Sequence, residues 1–124
     1  EKMTKKEIFD KILSVTAEVC DVTTGSIING CKEDDAVVAR SVVVFWCYAA
    51  GFSTQDIAKQ ASVSNATQVN NIKSKIEVYW TKKYIYHMIL AEVGKKLAEY
   101  ADSIGEYFDY KKPLFHMSKI TDKY

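Results

Sequence analysis

A chain of 124 residues with 48% apolar and 27% charged residues is sized for one domain around a single core and is too apolar for disorder. Seventeen Lys+Arg against sixteen Asp+Glu leave a formal charge of +1, which excludes a surface that traps polyanions everywhere and makes any nucleic-acid binding depend on local clustering. Five Gly and one Pro exclude collagen or a flexible linker, and the longest apolar run, 42–51, is about half of the roughly 20 residues that span a bilayer.

Glu1 and Lys2 precede Met3-Thr4-Lys5-Lys6-Glu7, which reads as a natural start. No charged-then-apolar leader is present, so the expectation is an intracellular, cytoplasmic protein. Thr4 and Glu7 form a capping box, and Ile8, Ile12, Leu13, Val15 and Val19 follow at helical spacing, which predicts a helix from about Lys5 to Cys20. Asp21-Val22-Thr23-Thr24 offers caps for a short helix carrying Ile27 and Ile28, stopped by Asn29-Gly30. Lys32-Glu33-Asp34-Asp35 then places acid at the positive end of the next helix, where each charge contributes about 0.3 to 1 kcal/mol. From Ala36 to Ala50 the chain is apolar nearly all round. Its valines favour a strand by propensity, but its length without turn signals predicts a central buried helix.

Gly51-Phe52 ends that helix, and Ser53 caps the next, a short helix at about 54–60. After a tight turn, Ser64 caps a further helix, about 65–80, with an apolar stripe of Val69, Ile72 and Ile76. Beyond it Tyr79, Tyr86, Leu90, Val93, Leu97, Tyr100 and Ile104 continue a four-three alternation. That pattern fits a coiled-coil seam or two helices that fold back on the body, with Thr81-Lys82-Lys83 as the place for a break. The aromatic tail to Tyr124 is expected to pack on its own domain or on a partner. The expected architecture is therefore an all-α helical bundle containing a helix-turn-helix, with residues 1–80 as the domain and 81–124 as a helical extension.

Chemistry-bearing motifs are few. Cys20, Cys31 and Cys47 are odd in number, lack a C-x-x-C pair and read as buried thiols. His87 and His116 have no zinc spacing, and no G-x-G-x-x-G, G-x-x-x-x-G-K or G-x-S-x-G occurs, so no metal, cofactor, catalytic residue or small-molecule substrate is expected. Tyr84, Tyr86 and His87 would diverge on a helix and read as core or interface residues, which argues against an enzyme. Asn65-Ala66-Thr67 matches a glycosylation sequon by chance in a cytosolic chain.

A helix-turn-helix needs an apolar anchor and a small residue in its first helix, a tight turn, and apolar anchors on the inner face of its second. Ile57-Ala58, Val63, Val69 and Ile72 supply these, leaving Thr67, Asn70, Asn71 and Ser74 outward with Gln68 and Lys75 on the flank. Amides pair with adenine, and hydroxyls with phosphates or base edges. The expected DNA contacts are Asn65, Thr67, Gln68 and Asn71 toward bases, with Ser64 at the same helix start, and Lys32, Arg40, Lys59 and Lys75 toward phosphates. Arg40 is the only arginine, which counts against tight sequence-specific binding. A homodimer through the C-terminal helix would double the phosphate contacts on double-stranded DNA. The competing expectation is a protein–protein interaction module that keeps the fold without binding DNA, as suggested by the near-zero charge, the Glu33-Asp34-Asp35 loop and the aromatic C-terminal third.

From Val15 to Glu77 the sequence resembles the C-terminal DNA-binding domain of the bacterial replication initiator DnaA, a Trp-repressor-like helical domain. The resemblance runs through Val22-Thr23-Thr24-Gly25-Ser26-Ile27-Ile28, where the family has a short helix ending in two leucines, and Ala36-Val37-Val38-Ala39-Arg40-Ser41, where it has V-A-R-P-R-Q. It continues through Ser53-Thr54-Gln55-Asp56-Ile57-Ala58 against S-L-P-E-I-G, and Asn65-Ala66-Thr67-Gln68-Val69 against the signature D-H-T-T-V. Lys75-Ile76-Glu77 closes the match. The spacing from Ile57 to Val69 is that of the family and longer than in lambda-type helix-turn-helix proteins. The resemblance implies major-groove reading by the signature, of which Thr67 is kept, and backbone contact by Arg40 and Ser41. It places Lys32 at the minor-groove arginine, followed by three carboxylates that would repel phosphate. The fold therefore transfers better than the target site, and recognition of an origin box is not expected.

Overall fold

The structure, a computed structural model, describes residues 5–50, 52–61, 63, 66–82 and 84–98. Six helices follow in order, α1 (Lys5–Cys20), α2 (Thr24–Ile28), α3 (Asp34–Ala49), α4 (Thr54–Gln60), α5 (Ala66–Lys82) and α6 (Tyr84–Ala98), and no strand occurs among the described residues. The chain is an all-α helical bundle.

Local chemistry sets the helix ends. Thr23 caps α2 by accepting the Ser26 N–H at 3.1 Å, and Ser53 caps α4 by accepting the Asp56 N–H at 3.1 Å. The first four helices close with the same backbone bond, an N–H donating to the carbonyl five residues earlier: Val22 to Ala17, Cys31 to Ser26, Phe52 to Cys47 and Val63 to Ala58. At the ends of α1 and α2 this closure puts the intervening residue in the left-handed region, where Asp21 has φ 55° and Gly30 φ 74°. The donors at three of the four ends, Val22, Phe52 and Val63, also pack on the core, so each turn is held by an apolar contact as well as a hydrogen bond. Thr4 lies outside the described residues.

The central helix is α3. Six successive side chains, Val42 to Cys47, are buried, and α3 touches each of the other five helices. Burial on every side overrides the strand preference of its valines, since a helix satisfies its own backbone in a place where no sheet partner exists. Around it α1 presents Ile8, Phe9, Ile12, Leu13, Val15 and Ala17 to the same core, and α4 presents Ile57 and Ala58.

The four-three pattern after Ile72 resolves as two helices, α5 ending at Lys82 and α6 starting at Tyr84. Helix α6 folds back onto α1 and α5 and buries Leu90, Val93 and Leu97 in the one core cluster, with Gly94 facing Trp46 of α3. Of the two expectations for this apolar stripe, a coiled-coil seam or two helices that fold back on the body, the packing of Leu90, Val93 and Leu97 is the second. The tail beyond Ala98 lies outside the described residues.

Candidate functional site

Helices α4 and α5 pack against each other and both touch α3. On α5 the core side is Val69 and Ile76, fully buried, with Ile72 half-buried beside them. At about 100° per residue the opposite side holds Thr67, Asn70, Asn71 and Ser74, all exposed, as are Gln68 and Lys75 on its flank. Lys59, in the last turn of α4, is exposed too, and there it complements the negative end of that helix. Ser64 and Asn65 lie outside the described residues, so the start of the expected contact surface is carried here by Thr67.

Helices α4 and α5 together carry four lysines, Lys59, Lys73, Lys75 and Lys82, against two carboxylates, Asp56 and Glu77. From Ile57 to Ile76 the chain has no Asp or Glu and three lysines, Lys59, Lys73 and Lys75, whereas the whole chain is at +1. Asp56, one residue before this stretch, is half-buried in the first turn of α4.

Arg40 has a different place from the one expected. Its Nε donates to the Ile27 carbonyl at 2.7 Å, and one terminal nitrogen donates to the carbonyls of Ser26 at 2.9 Å and Cys31 at 3.0 Å. The Ser26 and Ile27 carbonyls lie in the last turn of a five-residue helix, where the dipole favours a cation, and the Ser26 carbonyl also accepts the Cys31 N–H, while the Cys31 carbonyl belongs to the loop that follows. The guanidinium braces α2 against α3, and this intramolecular role occupies Nε and one terminal nitrogen of the side chain expected to face a phosphate. The neighbouring Ser41 hydroxyl donates to the Val37 carbonyl at 3.0 Å, inside its own helix. The Arg40–Ser41 pair that the resemblance implies for backbone contact thus makes these hydrogen bonds within the protein.

Lys32 is exposed on the loop between α2 and α3, and exposed Glu33, Asp34 and Asp35 follow it directly. The helix before it, α2, packs mainly on α1 and α3. Glu33 takes the N-cap position of α3 without a side-chain cap bond, while Asp34 and Asp35 occupy its first turn, where they complement the dipole.

Of the three cysteines expected to be buried thiols, Cys47 is buried, whereas Cys20 and Cys31 are half-buried. Cys47 is fully buried, which pushes its pKa up strongly, and Cys20 is half-buried with its pKa pushed up to about 11, first by burial and second by the negative charge of Asp35. Among the described residues no three His, Cys, Asp or Glu side chains are grouped to hold a metal ion, and no helix is long and apolar enough to cross a membrane. The side chains of Tyr84, Tyr86 and His87 lie outside the described set.

No protein-family model, curated protein or solved structure matches this chain.

Proposed function

We propose that this protein binds duplex DNA by laying the exposed face of α5 in the major groove, with α4 braced behind it in a helix-turn-helix. The observation that carries the reading is the α5 face itself: hydroxyl and amide side chains on the side away from the core, within a stretch, Ile57 to Ile76, that has three lysines and no carboxylate between Asp56 and Glu77. Such a face can approach phosphates without repulsion and presents donors and acceptors to base edges. The resemblance to the DnaA C-terminal domain points the same way, with Thr67 as the retained signature residue. Lys59 and Lys75 are the phosphate contacts, Arg40 is withdrawn from that set, and Lys32 contributes little beside three carboxylates. A second protomer would strengthen binding through a face other than the 90/93/97 stripe of α6.

The test is fluorescence anisotropy with a random-sequence duplex at 50 and 200 mM salt. Two or three lysine–phosphate contacts per protomer give a log–log slope of roughly −2 to −3, a loss of about 10- to 40-fold between the two salts. Lys59→Glu lowers affinity further while leaving the helical circular dichroism unchanged. Absence of binding at 50 mM salt rejects the proposal.

The exposed run Glu33-Asp34-Asp35, together with exposed Val37, Tyr48 and Met88, favours a second reading, a protein–protein interaction module. It is the reading that remains if the duplex fails to bind.

A further inference from the structure

We infer that the α5 face selects A·T over G·C base pairs, because the chain's only guanidinium is locked inside the fold and the residues in reach of the bases are amides and a threonine. This rests on the reading of α5 as the DNA-contacting helix. Guanine is read in the major groove chiefly by a fork of cationic donors on O6 and N7, most often from arginine. Arg40 cannot supply it: Nε and one terminal nitrogen already donate to Ile27, Ser26 and Cys31 at 2.7 to 3.0 Å, and no second arginine exists. Lys75 stands in the third turn of α5, past the N-terminal turns whose side chains reach base edges, so its charge falls on the backbone.

What remains in those first turns is Thr67, Gln68, Asn70 and Asn71, all exposed, with Gln68 an amide of the same kind as the two asparagines. An asparagine amide matches adenine, accepting from N6 and donating to N7, and a threonine methyl packs on the thymine methyl. With no carboxylate from Ile57 to Ile76, nothing on the segment is suited to accept from the cytosine amino group either. The face thus carries partners for both members of an A·T pair and lacks the strong reader of each member of a G·C pair.

The experiment uses the full chain at 50 mM salt with three duplexes of equal length: alternating A·T, alternating G·C, and the A·T duplex with 7-deaza-adenine in place of adenine. Replacing N7 by carbon removes the acceptor in the major groove and leaves the pairing and the minor groove intact. The expected result is binding of A·T about tenfold tighter than G·C, an advantage lost in the 7-deaza duplex. The double variant Asn70→Ala/Asn71→Ala lowers A·T affinity severalfold more than G·C affinity, so that the preference shrinks; a preference of undiminished size in that variant overturns the inference. Both sites are exposed on a helix, where alanine is well tolerated. Equal affinity for A·T and G·C overturns the inference while leaving DNA binding in place. An A·T preference that survives 7-deaza-adenine also overturns it, since the groove shape or the minor groove is then being read. No binding to any duplex overturns both this inference and the proposed function.

Discussion

Replacing Gly94 by alanine normally stabilises a helix interior by about 1 kcal/mol, and in this protein it should do the reverse. A Cβ at position 94 would sit 2.6 Å from Cζ2 and 2.8 Å from Cη2 of Trp46. Carbon atoms in good contact are about 3.5 to 4.0 Å apart, so the overlap approaches an ångström. The indole cannot yield, because Trp46 has no exposed surface and its ring stands edge-on to Phe45 at a centroid distance of 5.4 Å. Overpacking costs about 1 to 3 kcal/mol and more when rigid groups meet, so Gly94→Ala should lose about 2 kcal/mol net of the propensity gain. Urea unfolding followed by far-ultraviolet circular dichroism measures this as a lower midpoint with an unchanged slope. Trp46→Phe removes the atoms that Cβ would strike, so the double variant should be more stable than the sum of the two single losses by about 1 kcal/mol or more. A Gly94→Ala protein more stable than the parent, or losses that simply add, refutes the close approach of α6 to α3.

Three further outcomes follow from the packing and the buried groups. Arg40→Met strips three carbonyls of a charged donor and should cost about 3 kcal/mol in unfolding free energy, and Arg40→Lys should recover only part of it because an ammonium lacks the planar fork. A thermal midpoint unaffected by either substitution would show that the brace contributes nothing. The Thr16 hydroxyl is fully buried and has no hydrogen-bond partner among the described residues, so Thr16→Val, nearly the same shape, should raise stability by about 1 kcal/mol, and a loss of stability would contradict that geometry. The raised pKa of Cys20, about 11 against 9.0 unfolded, means that the folded state keeps a proton the unfolded chain releases, so stability is unaffected below pH 9 and falls as pH rises from 9 towards 11. Melting curves at pH 8, 9 and 10 should fall less steeply for Cys20→Ala, and identical slopes would assign the decline to other groups.

Reading this chain as a sequence succeeds where the signal is short-range. Thr23 and Ser53 cap α2 and α4, Gly30 ends α2, and the break after Thr81-Lys82 separates α5 from α6, because each of these signals acts within about one turn of its own backbone. The all-helical class and the outward polar face of α5 follow from periodicity for the same reason, since the apolar positions alone set which side turns inward.

Tertiary structure decided the rest. Arg40 looked like a phosphate contact because an arginine near the surface has no local partner in the sequence. Its partners are carbonyls 9 to 14 residues away, brought close only when α2 docks on α3. The stripe Leu90, Val93 and Leu97 had the pattern of a seam between protomers, and pattern cannot distinguish a second copy from the same chain folding back onto α1 and α5. Gly94 carries no mark in the sequence, and its small size matters only because Trp46 of α3 lies across that point of α6. Amino-acid order determined the helices and the side each one buries, because those are properties of a few adjacent residues. Which cations are consumed by the fold and which apolar faces meet each other depended on distant segments packing together.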